Sequence, residues 1–257
     1  MLRTADSHLQ LRADMDFDAL NDHPQGKLMA RLTGAVGKQD ILLLAGGLPE
    51  QVVRAYPNSP LTLRLSADGN MEHLAVHTVE ARLAKAFELK AKGDLYQLTD
   101  SLNMSAEADM DLRTGNLDFL RPLIVSGASA DRIALPPMAM KGKVSMRGQR
   151  YDADLRLRES EGTVKLKAGA DLAQMAYRAK LDVENLQLHH FLPKDSLYDL
   201  TLSAEAKGRG TDMFSRRTDL QAGAVLKELR YGEWNLSGVS ADAYLHKGIG
   251  QVTLDSD

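Results

Sequence analysis

Apolar and polar residues alternate with a period of two along most of this chain, most densely between Met138 and Val183. There Met138, Met140, Val144 and Met146 alternate with Lys141, Lys143, Ser145 and Arg147, and Tyr151, Ala153, Leu155 and Leu157 alternate with Asp152, Asp154, Arg156 and Arg158. A turn at Glu159-Ser160-Glu161-Gly162 leads to Val164, Leu166, Ala168 and Ala170, set against Lys165 and Lys167. A fourth run places Met175, Tyr177, Ala179, Leu181 and Val183 against Arg178, Lys180 and Asp182. Strict alternation predicts antiparallel strands with one apolar and one wetted face. Four such runs in succession predict a meander.

The rest of the chain reads the same way. Leu9 to Phe17 opens on a strand, and Leu28, Ala30 and Leu32 give a second after the turn-rich Asn21-Asp22-His23-Pro24. Ile41 to Leu44 is apolar without a break, which fits either a strand covered on both faces or the lead-in to a short helix. Beyond Gly46-Gly47, Pro49 sits where a first helical turn accepts it, with Val52 and Val53 inside and Pro57 as the stop. Leu61 to Ala67 runs into a hairpin signal at Asp68-Gly69-Asn70. Leu74 and Val76, then Val79, Ala81 and Leu83, change phase once, as a bulge does. Strands follow at Phe87–Gly93 and Leu102–Leu112, and Asn116 is placed to cap a short helix before Pro122. The loop Ser126–Pro137 is small, polar and closed by proline. Leu186 to Pro193 is a short non-strand element, and strands resume at 200–206, 220–224, 231–236, 239–245 and 249–254. Roughly a dozen or more strands with about three short helices make the chain all-β.

Several strands end alike: Leu65-Ser66-Ala67-Asp68-Gly69, Leu89-Lys90-Ala91-Lys92-Gly93, Leu166-Lys167-Ala168-Gly169 and Ala204-Glu205-Ala206-Lys207-Gly208. Such recurrence describes a strand, a turn and a restart, as in an extended β array. Only 5% of residues are aromatic and eleven are methionine, so the apolar face is built from Leu, Val, Met and Ala. Two architectures fit. One is a half-buried sandwich or barrel, whose core draws on large side chains. The other is one long curved sheet whose apolar concave face stays available to acyl chains.

Lys and Arg total 32 against 35 Asp and Glu, with the signs interspersed, so there is no basic stripe for nucleic acid. The absence of cysteine removes disulfides and thiolate chemistry. No apolar run approaches the roughly 20 residues that span a bilayer, and the sequence stops just after an alternating run, as a segment of a longer protein would. Candidate chemistry is sparse. His189-His190 would face opposite ways on a strand, which favours a structural role over a metal site unless the element is helical. Glu159 and Glu161 flank a turn, where carboxylates are ordinarily solvated. Trp234 reads as packing at a strand start. Nucleotide-loop and nucleophile-elbow spacings are missing, and low aromatic content argues against a carbohydrate hydrolase. No catalytic, metal or cofactor residues are assigned.

From Met175 to Val239 the chain resembles the TamB family of Bacteroidetes, translocation and assembly module subunits related to AsmA. The pattern that carries this is a strand, then His190-Phe191-Leu192-Pro193-Lys194-Asp195-Ser196-Leu197, then a strand ending in Gly208-Arg209-Gly210-Thr211-Asp212, then Leu229-Arg230-Tyr231-Gly232. Tyr56-Pro57 to Met71 and Phe87 to Leu95 are similar too. The resemblance implies an elongated, taco-like open β groove, residues 1–257 forming one middle segment of a much longer periplasmic protein anchored in the inner membrane. It implies a part in outer-membrane biogenesis, through phospholipid transport or through assembly of outer-membrane β-barrel proteins. An outer-membrane barrel of the BamA or TamA type would then be met by other parts of the parent chain.

Together these readings predict a non-enzymatic groove that shields phospholipid acyl chains. Its lining would be Met140, Val144, Met146, Leu155, Leu157, Val164, Leu166, Tyr177, Leu181, Leu200 and Leu202. The alternative is a scaffold or chaperone that holds unfolded outer-membrane strands at exposed sheet edges.

Overall fold

In the computed structural model, which describes residues 2–16, 26–124, 132–210, 212 and 215–256, the alternating runs form open antiparallel sheet. The chain divides into two units, Met1–Lys141 and Gly142–Asp257. In the first, β1 (Leu2–Arg3), β2 (His8–Met15), β3 (Leu28–Val36), β4 (Leu61–Gly69), β5 (His73–Leu83), β6 (Phe87–Tyr96) and β7 (Ser105–Thr114) pair in chain order. β8 (Ala139–Arg147) begins in the first unit and runs into the second. There β9 (Arg150–Glu159), β10 (Gly162–Asp171), β11 (Ala176–Gln187), β12 (Leu197–Arg209) and β13 (Asp219–Tyr231) follow in order. β14 (Trp234–Leu236) folds back on β13 as a short hairpin, and β15 (Val239–His246) and β16 (Ile249–Ser256) complete the sheet. In neither unit does the first strand pair with the last, so neither sheet closes into a barrel.

Register follows from the side-chain period. Because every second residue is apolar, only pairings that put apolar residues opposite one another keep one face dry. In the first unit Leu11, Leu32, Leu65, Val79, Ala91 and Met110 stand opposite one another across β2 to β7. The phase change between Val76 and Val79 is a register shift, as the sequence predicted. Further shifts occur at Val183/Leu186 and Leu197/Leu200. The predicted turn at Ser160-Glu161 is a two-residue hairpin, with Ser160 at φ 49.

The helical pieces are α1 (Lys38–Ala45), α2 (Glu50–Ala55), a 3-10 turn (Asp118–Leu120) that runs into α3 (Arg121–Ile124), and α4 (Leu188–Phe191). They fall on the β3–β4, β7–β8 and β11–β12 connections, so the three helical connections are four strands apart. Each such connection also contains proline: Pro57 and Pro60, Pro136 and Pro137, or Pro193. Proline donates no backbone hydrogen bond, so these residues interrupt the ladder and leave the chain free to turn helical.

Several expectations are corrected. Ile41–Leu44 belongs to helix α1 and not to a covered strand, and Leu43 and Leu44 are exposed. Asn116 Oδ1 accepts the Asp118 N–H at 2.9 Å, yet Pro122 is the second residue of α3 and does not stop it. A first helical turn has no need of that missing donor. Leu102 is exposed in the turn before β7, which starts only at Ser105. Residues 231–236 are the end of one strand and the start of another. Phe17, the turn at 21–24 and residues 126–131 of the Ser126–Pro137 loop lie outside the described residues.

A buried cluster of the first unit sits where its helices meet strand ends. Leu83, Ala86 and Phe119 pack together, flanked by Tyr56, Leu61, Phe87, Leu117 and Leu120. Tyr56 meets Phe119 edge to face at 5.3 Å. Backbone bonds from Gly115 to Ala86 and from Asn116 to Lys85 hold the 3-10 turn against the β5–β6 turn. The cluster thus closes one margin of the apolar face and leaves its middle uncovered.

Candidate functional site: the uncovered apolar face

Pairing registers in the second unit carry apolar rows across seven strands. One row contains Leu155, Leu166, Leu181, Ala204, Ala224, Ala241 and Leu254. Beside it stand Leu157, Val164, Val183, Leu202, Leu226 and Val239. On its other side lie Ala153, Ala168, Ala179, Ala206, Ala222, Ala243 and Val252. Adjacent strands are about 4.8 Å apart, so a row from β9 to β16 runs roughly 29 Å.

None of the described residues of the second unit forms a second layer on this face. Among the described residues of the second unit, Val183 is the one apolar side chain that is fully buried, at 4% exposure. The leucines around it are half-buried by their neighbours alone. A sandwich would bury these rows against a facing sheet, so the structure selects the open alternative.

The predicted lining residues can be placed one by one. Leu155, Leu166 and Leu181 are directly opposed, as are Leu157, Val164 and, through Val183, Leu202. Tyr177 lies opposite Ala170 and Gly208; a Cβ on Gly208 would come within 2.6 Å of the Tyr177 hydroxyl, so the ring occupies space that only glycine leaves free. Leu200 pairs with Leu186 and Leu229 beyond a bulge. Val144 and Met146 lie on β8 within the second unit, whereas Met140 lies on the part of β8 that belongs to the first. The sequence reading missed the continuation of the rows through β13, β15 and β16. That continuation was legible in the alternation of Ala222 and Ala224, and of Ala241 and Ala243. Replacing leucine by alanine there opens a hollow of about 310 Å³ over Ala204, Ala206, Ala222, Ala224, Ala241 and Ala243.

The opposite face is charged. Lys165 pairs with Glu184 at 2.7 Å, Lys167 with Asp154 at 3.4 Å, and Arg178 with Asp152 at 2.7 Å. Each such exposed pair contributes little, about 0–1 kcal/mol. A hollow of about 540 Å³ is on this side. Nine ionisable side chains line it, and covering them with an apolar chain would strip their water, so apolar ligands belong on the other face.

At the α4 margin the structure corrects the reading of Glu159. This carboxylate is not solvated: it is 4% exposed, with His190 Nδ1 2.7 Å from its Oε1. The histidine pair lies on a helix, with ring centroids 4.2 Å apart, and His189 also stacks obliquely on Tyr198. No group of three or more potential metal ligands occurs among the described residues, and His190 ties α4 to the end of β9. Nearby, hydrogen bonds from the Gln187 amide and the Arg230 guanidinium hold the Asp199 carboxyl below the usual carboxylate range. Trp234 begins β14 but is 74% exposed, so its predicted packing role is also corrected.

His190→Ala is expected to destabilise the second unit by about 1–3 kcal/mol, because Glu159 stays buried without its donor. His190→Gln, which keeps a donor, should recover part of the loss. Urea midpoints that match wild type for His190→Ala would show that the pair holds nothing.

No protein-family model, curated protein or solved structure matches this chain.

Proposed function

We propose that this chain is a non-enzymatic groove segment that shields lipid acyl chains on its apolar face, as part of a bridge between inner and outer membranes. One observation carries the reading: apolar rows cross the second unit without a break and without a covering layer. The hydrocarbon of a bilayer is about 30 Å thick across two leaflets, so a row of about 29 Å offers more than the length of one acyl chain. Burying a chain there is favourable by about 0.8 kcal/mol per methylene and is non-directional. Lipid can therefore slide along the rows, because no hydrogen bond fixes its position. The resemblance to the TamB family supports the same reading and, with it, a periplasmic setting in a protein anchored in the inner membrane. No helix among the described residues is long and apolar enough to cross a membrane.

Mass spectrometry of lipid extracted from the purified chain tests the proposal, beside a variant carrying Leu157→Asp and Leu166→Asp. Both leucines are half-buried, so circular dichroism should show the variant folded. Phospholipid should accompany the wild-type chain and be lost from the variant. Equal lipid in both, or none in either, would sink the proposal.

A second reading has its own observation. Among the described residues β16 pairs with β15 on one edge alone, with Ile249, Val252 and Leu254 exposed. Such an edge can hold an unfolded outer-membrane strand by adding it to the sheet. Binding of that kind would survive the double aspartate substitution.

A further inference from the structure

The charged hollow of the second unit has no part in the reading above. Its floor sets like charges directly opposite one another twice, with Lys167 facing Lys180 and Arg178 facing Lys207. Directly opposed like charges destabilise a sheet. Carboxylates relieve half of this repulsion. Asp154 takes Lys167, and Asp152 takes Arg178 by reaching across Gly169, where a Cβ would lie 2.8 Å from the Asp152 Oδ1. Among the described residues, neither Lys180 nor Lys207 makes an ion pair.

Two carboxylates on the far side of the hollow are in the same condition. Glu205 and Asp242 are each opposite Gly223 and make no ion pair among the described residues. Asp242 leans over that glycine: a Cβ there would lie 3.1 Å from its Oδ1. Lys180 is directly opposite Glu205, yet the two do not pair. The hollow therefore has an unsatisfied cationic half over β11 and β12 and an unsatisfied anionic half over β12 to β15. Lys180 and Glu205 face one another across one strand spacing, and the centres of the two halves are about one and a half spacings apart, roughly 7–8 Å.

We propose that this hollow binds a small water-soluble zwitterion in which a phosphate and an ammonium are joined by a short linker. The phosphate sits between Lys180 and Lys207 with Arg178 behind it, and the ammonium sits between Glu205 and Asp242. Two lysines without carboxylate partners, backed by the Asp152-held guanidinium, suit a dianion better than a single carboxylate. The head group of a membrane lipid does not fit this position. The hollow opens on the face opposite the apolar rows, so acyl chains attached to a head group bound here would hang in water. The inference is independent of what the apolar face carries.

Isothermal titration of the full chain at low salt, with phosphoethanolamine as the probe, tests it. Saturable binding is expected, with inorganic phosphate and ethanolamine each weaker by about tenfold or more. Lys180→Ala and Lys207→Ala should each weaken phosphoethanolamine by about tenfold. Glu205→Gln with Asp242→Asn should act in opposite directions on two probes. It should weaken phosphoethanolamine and strengthen inorganic phosphate, because the cations are then unopposed. A misfolded variant would lose both. Absence of phosphoethanolamine binding overturns the proposal, as does inorganic phosphate binding equally well. Capture of phosphatidylethanolamine vesicles through Lys180 and Lys207 without binding of the soluble probe overturns it too.

Discussion

Leu83→Ala is expected to destabilise the first unit by about 3 kcal/mol. Leu83 is 1% exposed and packs with Ala86 and Phe119 where the 3-10 turn closes over the strand ends. Removing three carbons there leaves a cavity that the surroundings cannot fill. The cross-strand partners Leu61 and Phe87 are fixed by their ladders, and Phe119 is held by its contact with Tyr56. For a unit of this size the loss should appear as a fall of about 10 °C in thermal midpoint. Hydrogen exchange should accelerate first in residues 117–123 and in the β5–β6 turn. The exposed Leu43→Ala, on α1, should stay within about 0.5 kcal/mol of wild type. Equal midpoints for the two variants would mean that the helical margin does not pack as described.

Gly93→Ala should be comparably damaging although it adds a single methyl group. A Cβ at Gly93 would lie 1.9 Å from the Glu107 carbonyl oxygen and 2.8 Å from the Ala108 Cα. Both atoms are backbone, so no rotamer change relieves the clash; β6 and β7 must separate and give up ladder hydrogen bonds. The expected cost is about 3 kcal/mol, with faster amide exchange in both strands. Gly250→Ala provides the contrast, since its nearest neighbours would be 3.9 Å away, and it should be close to neutral. A neutral Gly93→Ala would show that the two strands are not this close.

The close approach also explains part of the repeated strand ending. Gly69, Gly93 and Gly208 each close an Ala-x-Gly step, and at each a Cβ would run into the neighbouring strand or its Tyr177 ring. The sequence showed the recurrence, but its cause is visible only when the partner strand is in place. The same holds for the helices. Their proline-marked segments were readable singly, whereas their spacing four strands apart depends on counting strands whose ends only the ladder defines.

The candidate site divides along similar lines. Leu155, Leu157, Val164, Leu166, Leu181 and Leu202 were identifiable as one face because the side-chain period of a strand is two. Glu159 was not identifiable as buried. Its partner His190 is 31 residues away and reaches it only because α4 turns back beside the end of β9.

By itself, then, the sequence determined most of the strands, one bulge and the separation of an apolar from a charged face. All of these follow from local steric preference and the alternation of side chains along one chain. Whether that apolar face would be covered was undetermined, because a half-buried strand in a sandwich and one in an open sheet carry the same alternation. Tertiary structure decided it: apart from the short β14 hairpin the strands pair in chain order, the two ends of each sheet stay apart, and within each unit the described residues form no second layer over the rows. It also decided which charges meet. Period two puts Lys167, Arg178, Lys180 and Lys207 on one face, but only the register sets them directly opposite one another.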